Sequence, residues 1–175
     1  DSVKARTDMV AALLQHGKPT VADICTLEAA YAPPFAAAMD VINVVGNVAE
    51  NVLEGRFTPV TAEEFMDLWR KRDDNHIFFI DARPAKAGQA VQAEHPEWHS
   101  IPLEDVEARI GDVPRDRKVA VICNTGLRAY DVVLTLARHG ITDVVNSEGG
   151  MQAVLDAFPV DRAVLPDFAK APMPT

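Results

Sequence analysis

Apolar residues recur along the chain with two different patterns, and the change falls near residue 57. Before it the repeat is helical. In TDMVAALLQHG, Met9, Val10, Leu13 and Leu14 lie at helical spacing, with Thr7 placed as an N-cap and Gly17 as a stop. A second helix is predicted from TVADICTLEAA and is broken at YAPPF, where Pro33 and Pro34 withdraw backbone donors. Asp40 is placed to cap a third, VINVVGNVAENVLEG, whose Val41, Val44, Val45, Val48, Val52 and Leu53 form an apolar stripe ended by Gly55. The stripe reads as core or interface. These pieces have apolar faces but little depth, which predicts a thin helical layer packed on something else.

From about Phe57 to Phe158 strand and helix signals alternate. Thr61 and Glu64 make a capping box at the start of TAEEFMDLWRKR, with Val60 and Phe65 placed as a hydrophobic staple. HIFFIDAR reads as a buried strand, SIPL as a short strand before the helix EDVEARI, and KVAVIC as a continuous apolar strand before the helix AYDVVLTLARHG. DVVNSEGG is a last strand before the helix MQAVLDAF. Continuously apolar strands separated by helices predict an α/β fold, a parallel sheet flanked by helices. The tail VLPDFAKAPMPT is proline-rich and predicted irregular. The expected organisation is a helical segment at 1–56, an α/β domain at 57–160 and a tail at 161–175.

Composition narrows the setting. With 175 residues, 48% of them apolar, the chain can build a core, while a net charge of −9 argues against nucleic acid or an anionic membrane as partner. No apolar stretch reaches the roughly 20 residues that span a bilayer. Cys25 and Cys123 fall in separate segments, which predicts free thiols and a cytoplasmic location. The first residue is Asp1, which fits a processed chain or a piece of a longer one.

The candidate chemistry lies in CNTGLR, residues 123–128. Cys123 stands at the carboxyl end of a predicted parallel strand and just before a helix, where ligands of such sheets gather. The turn through Asn124, Thr125, Gly126 and Leu127 would leave N–H groups unpaired at the helix N-terminus, a setting that favours an anion. A thiolate is such an anion, and it is the form that attacks electrophilic sulfur. Gly126 lets the loop close, and Arg128 can steady either a charged substrate or the loop itself. The alternative is that Cys123 is a small buried hydrophobe at a strand end.

CNTGLR resembles the Cys-x-x-Gly-x-Arg loop of rhodanese-like sulfurtransferases, and the order IDAR, IPL, VAVIC and GG resembles their rhodanese-like fold. The resemblance implies that Cys123 carries sulfane sulfur as a persulfide cradled by Asn124 to Arg128, and that Asp81 and Arg83 match a supporting Asp-x-Arg element. An ion pair between those two is the alternative. The segment AEHPEWHSIPL departs from the family's Gly-His-Ile-x-Gly-Ala stretch. LEAAYAPPFAAAMDVINVVGNVAENVLEG is in turn similar to the end of the dimerisation domain of pyridine nucleotide-disulfide oxidoreductases, particularly coenzyme A disulfide reductases and NADH-dependent persulfide reductases. Its Ala-Tyr-Ala-Pro-Pro and Asn-x-x-Gly elements carry the likeness, and Asn47 stands where an aromatic is usual.

That second resemblance implies FAD and NAD(P)H in an intact homodimer, with a sulfane-sulfur donor and a thiol acceptor as partners and coenzyme A persulfide as a candidate substrate. Tyr31 would be a reductase-side hydroxyl or a packed tyrosine. None of the nine glycines forms G-x-G-x-x-G, so this chain is expected to hold no cofactor itself. No metal is expected either, since Pro96 interrupts the spacing of His95 and His99. Cys25 reads as a core or interface thiol. Two rivals remain: a cysteine phosphatase of the same architecture, which would place one more residue between Cys and Arg than the four here, and a non-catalytic interaction and dimerisation module.

Overall fold

The structure, a computed structural model, describes residues 2–30 and 38–158. Its chain divides into two compact units, Asp1–Arg56 and Phe57–Thr175. Tyr31, the predicted break at YAPPF and the tail 161–175 lie outside the described residues.

In the first unit α1 spans Ser2–His16, α2 Val21–Cys25 and α3 Val41–Leu53. Helix α1 begins well before Thr7, so that residue is not a cap. Its hydroxyl donates to the Val3 carbonyl at 3.0 Å, the bond a threonine finds inside a helix. The second helix is a single turn and not the longer one expected. Its carbonyl end is met from the side by Asn43, whose Nδ2 lies 3.3, 3.0 and 2.9 Å from the oxygens of Ile24, Cys25 and Leu27. Three residues on, a methyl at Gly46 would fall 2.7 Å from the Cys25 nitrogen, so α2 and α3 touch backbone to backbone there. Asn43 and Gly46 thus have a structural meaning as a pair: one ends α2 and the other admits it.

Asp40 caps α3 as expected, accepting the Ile42 N–H at 3.0 Å. It also receives Arg6 bidentately, Nε at 2.8 Å and Nη2 at 2.7 Å, which ties α1 to the start of α3. The valine stripe is not core within this unit. Val41, Val44, Val45, Val48, Val52 and Leu53 are all exposed, whereas Ile42 and Gly46 are the buried positions of α3.

The second unit is a five-stranded, wholly parallel sheet in the order β1-β5-β4-β2-β3. Its strands are β1 Pro59–Val60, β2 Phe78–Asp81, β3 Trp98–Ser100, β4 Val119–Ile122 and β5 Val144–Ser147. Helix α4, Ala62–Arg70, opens with the predicted box: Glu64 N–H donates to Thr61 Oγ1 at 3.2 Å and Thr61 N–H to Glu64 at 2.8 Å. The short α5, Arg72–Asn75, follows, then α6, Ala85–Glu94, α7, Leu127–Arg138, and α8, Gly150–Ala157.

Two cores follow from the pleat. Phe79, Ala120, Ile122 and Val145 face Phe65, Met66 and Trp69 of α4, Val91 of α6 and Met151 and Val154 of α8. Ile80, Val119, Val121 and Val144 point the other way, toward Ala129, Val132, Val133 and Leu136 of α7. The helices therefore flank the parallel sheet, the α/β architecture predicted.

Two local expectations differ, and two elements carried none. SIPL is not the strand; WHS is, because Pro102 withdraws a donor and the chain turns there into a 3-10 turn. EDVEARI is not an α-helix but passes through 3-10 turns at Leu103–Asp105 and Ile110–Asp112. Helix α6 and strand β1 gave no signal: AKAGQAVQAE is only weakly amphipathic, and two residues carry no period.

Candidate active site

Strand β4 ends at Ile122, and the chain passes through 123–126 into α7. Cys123 therefore lies at the carboxyl edge of the sheet, with β5 and β2 on either side. Its side chain is not open to solvent as its position outside the apolar run would imply. Cys123 is 1% exposed and packs with Val121, Ala129 and Val132. Burial does not leave the sulfur apolar in its contacts, since the Gly126 N–H points at Sγ from 3.1 Å. That approach requires Gly126 to adopt φ +97°, a region open to glycine.

The loop is held from behind by the β5–α8 turn. Met151 N–H donates to the Cys123 carbonyl at 2.8 Å and Gln152 N–H to the Asn124 carbonyl at 3.0 Å. In a trans peptide the N–H of the next residue points opposite to the carbonyl. Binding those two oxygens therefore aims the N–H groups of Asn124 and Thr125 away from the turn. Neither N–H, nor those of Leu127 and Arg128 in the first turn of α7, finds an acceptor among the described residues. Together with the dipole of α7 they make a concavity suited to negative charge.

This packing explains the paired glycines of SEGG. Gly149 and Gly150 take φ +67° and +60°. A methyl on Gly150 would fall 2.5 Å from the Cys123 oxygen and 2.7 Å from the Asn124 carbonyl carbon.

Arg128 and Leu127 lie on the rim. Both are exposed, Leu127 to 75%, and Arg128 has no hydrogen bond or ion pair among the described residues. Of the two tasks open to this arginine, the loop makes no use of the guanidinium, which leaves it available to a ligand.

Asp81 and Arg83 occupy the end of β2 and face one another. The Arg83 guanidinium donates to Asp81 from Nε at 2.9 and 3.0 Å and from Nη2 at 2.6 Å, and the Arg83 backbone N–H adds a bond at 3.0 Å. Trp98 Nε1 donates to the same carboxylate at 3.0 Å. With exposures of 0% and 2%, the two are a buried ion pair beneath the site. Their route to the loop is through the sheet: Asp81 pairs in register with Ile122, and the Ala82 N–H donates to the Ile122 carbonyl at 2.8 Å.

The remaining sequence candidates are separate from this site. His99 stacks on Phe78 at 3.8 Å with Nδ1 3.2 Å from the Phe79 carbonyl, and burial pushes its pKa down. His95 lies edge-on to Trp69. Among the described residues no group of three His, Cys, Asp or Glu could hold a metal ion. Cys25 is a half-buried free thiol in the first unit, and Asn47 is half-buried on α3. No described helix is long and apolar enough to cross a membrane.

The model of the rhodanese-like domain matches residues 61–157. A sulfurtransferase of Allochromatium vinosum is 29% identical over 85 residues, 48% of this chain and 77% of that protein. Among solved structures, reduced CoADR-RHD of Bacillus anthracis superposes with a TM-score of 0.74 at 28% identity, covering 91% of this chain and 27% of that one. The NAD-dependent persulfide reductase of A. fulgidus gives 0.66 at 29% identity, covering 85% of this chain and 25% of that one. This chain thus spans about a quarter of the length of either protein, and the shared part includes residues of the helical first unit.

Proposed function

The chain belongs to the rhodanese-like domain family, a sulfurtransferase-type domain across residues 61–157, and from that membership we propose that Cys123 carries sulfane sulfur as a persulfide. The Cys123 thiolate attacks the outer sulfur of a persulfide or thiosulfate. A new S–S bond forms on Sγ, the donor's S–S bond breaks, and its electron pair leaves with the donor thiolate or sulfite. An acceptor thiolate then attacks the outer sulfur and restores the Cys123 thiolate. No external oxidant or reductant is needed.

The loop's own residues supply the rest. The N–H groups of Asn124, Thr125 and Leu127 face the charge that moves onto the outer sulfur, Gly126 steadies Sγ, and Arg128 draws an anionic donor to the rim. The observation that carries this reading is the Gly126 N–H directed at a cysteine sulfur inside a loop whose other amides are unpaired. The four residues between Cys123 and Arg128 favour sulfur over the wider phosphate cradle.

The reading extends to the whole protein: sulfur held on Cys123 exchanges with an FAD- and NAD(P)H-dependent reductase acting on persulfides or disulfides of the coenzyme A type. What supports it is the likeness of the chain to CoADR-RHD and to the persulfide reductase beyond the sulfurtransferase domain. The residues here do not fit either dinucleotide, because no glycine-rich strand-to-helix turn of the required spacing exists among them. Those groups belong elsewhere in this proposal. Pairing of two copies through the first unit is part of the same proposal, and the exposed apolar stripe on α3 supports it.

Intact-mass spectrometry after exposure to thiosulfate tests the core of the proposal. One added sulfur is expected on the wild type and none on Cys123→Ser. Sulfur loading that survives in Cys123→Ser, or its absence from the wild type, overturns the reading. Turnover of an aryl phosphate dependent on Cys123 would assign a phosphatase instead.

A further inference from the structure

Strand β5 carries an anomaly at Asn146. Its neighbours Val144 and Val145 are core residues, and Asn146 is itself only 1% exposed. Its Nδ2 donates to the Gly126 carbonyl at 3.3 Å, while its Oδ1 is buried with no partner among the described residues. An acceptor left unpaired in the core costs about 1–3 kcal/mol, so a valine there would pack at less expense. The Gly126 oxygen does not need the bond for its own satisfaction, since it already accepts the Tyr130 N–H that opens α7 at 3.0 Å. Stability does not account for this asparagine.

The geometry points to Asn146 as a positioning residue for the Cys123 loop, a role that rests on Cys123 being the reacting sulfur. Gly126 is the residue whose N–H reaches Sγ and whose carbonyl Asn146 holds. The amide end facing the loop is fixed by chemistry, because a carbonyl oxygen accepts only from Nδ2. Anchoring that oxygen orients the Gly126–Leu127 peptide, and with it the Leu127 N–H on the far side. It also braces the left-handed Gly126 against rotating its own N–H off the sulfur. Met151 and Gln152 orient the first two peptides of the loop through backbone bonds; Asn146 orients the last through its side chain.

The test is the pH profile of Cys123 alkylation by iodoacetamide, followed by peptide mass spectrometry on the full chain so that Cys25 is read separately. Asn146→Val removes the donor and the orphaned acceptor together. It is expected to melt no lower than the wild type yet alkylate about threefold to tenfold more slowly at neutral pH, the worth of one hydrogen bond, with its profile displaced to higher pH. Asn146→Asp, of the same size but charged and without the donor, is expected to move the profile further. Ser147→Ala is the control: Ser147 is equally buried on the opposite face of β5, and its replacement is expected to leave the profile in place. Superimposed profiles for the wild type and Asn146→Val, or an equal displacement in Ser147→Ala, would overturn the inference. A wild type that alkylates readily but never loads sulfur would overturn the sulfur-carrier reading alone.

Discussion

Met151 N–H donates to the carbonyl of Cys123 at 2.8 Å, so the first turn of α8 fixes the peptide that leads into the candidate loop. The contact is possible because the preceding residue, Gly150, has no side chain where that oxygen lies.

Gly150→Ala is therefore expected to injure loop and fold together. Its methyl would meet the Cys123 oxygen at 2.5 Å, and its φ of +60° costs an L-residue about 1–2 kcal/mol. Backbone has to move, so persulfide formation is expected to fall by tenfold or more while the thermal midpoint drops by several degrees. Calorimetry and sulfur loading on the same sample check it; full loading at an unchanged midpoint would contradict the contact.

Arg128→Ala is expected to do the opposite, changing ligand recognition without changing stability. The guanidinium is exposed and has no partner among the described residues, so its removal should alter unfolding by no more than about 0.5 kcal/mol. KM for thiosulfate, a dianion, should rise about tenfold, and the effect should weaken as salt is added. Steady-state kinetics at two ionic strengths decide it. An unchanged KM would place the arginine outside the donor site.

Asp81 and Arg83 should behave as a buried pair. Arg83→Leu leaves a carboxylate at 0% exposure with the Trp98 indole and the residue-83 backbone N–H as its donors among the described residues, and about 3–5 kcal/mol is the usual loss when one partner of such a pair is removed. Urea unfolding followed by Trp98 and Trp69 fluorescence measures it. If Arg83→Leu unfolds at wild-type urea yet loses sulfur transfer, the residue acts on substrate and not on the fold.

The first unit has a pH signature. Arg6, followed by the Ile42 N–H, holds the Asp40 carboxyl down at about 2, against an ordinary 3.8. The folded unit thus binds that proton more weakly than the unfolded chain, so the bridge stabilises fully above the ordinary value and fades as pH falls toward about 2. Helicity measured by circular dichroism should be lower in Asp40→Asn than in the wild type near neutrality, and the difference should close on acidification through that window. A difference that persists at the acid end would show that the ion pair with Arg6 is not its source.

Much of this architecture is legible without coordinates because it rests on local chemistry. Thr61 and Glu64 announce α4 through a reciprocal cap, Asp40 announces α3, and β2, β4 and β5 show no alternation of polar and apolar positions. The loop's composition and its place after β4 are equally plain in CNTGLR. Elements whose form depends on a distant partner are not legible in this way. TVADICTLEAA carries a longer helical pattern than it forms, because Asn43, 18 residues from Cys25, takes up the carbonyls at the end of α2. The α3 stripe reads as core or interface, and nothing local shows that it lies exposed in this unit.

The sequence by itself determined that a parallel α/β domain ends one strand in a cysteine and a glycine-containing turn, since periodicity, capping and glycine placement are short-range properties. Only the tertiary structure decided how that cysteine is held. Its burial among α7 side chains, the bonds from Met151 and Gln152, the Asn146 amide on Gly126 and the freedom of Arg128 all arise from residues far apart in the chain. Their meeting is set by strand order, which places β5 beside β4 and brings a turn near residue 150 against a loop near residue 125.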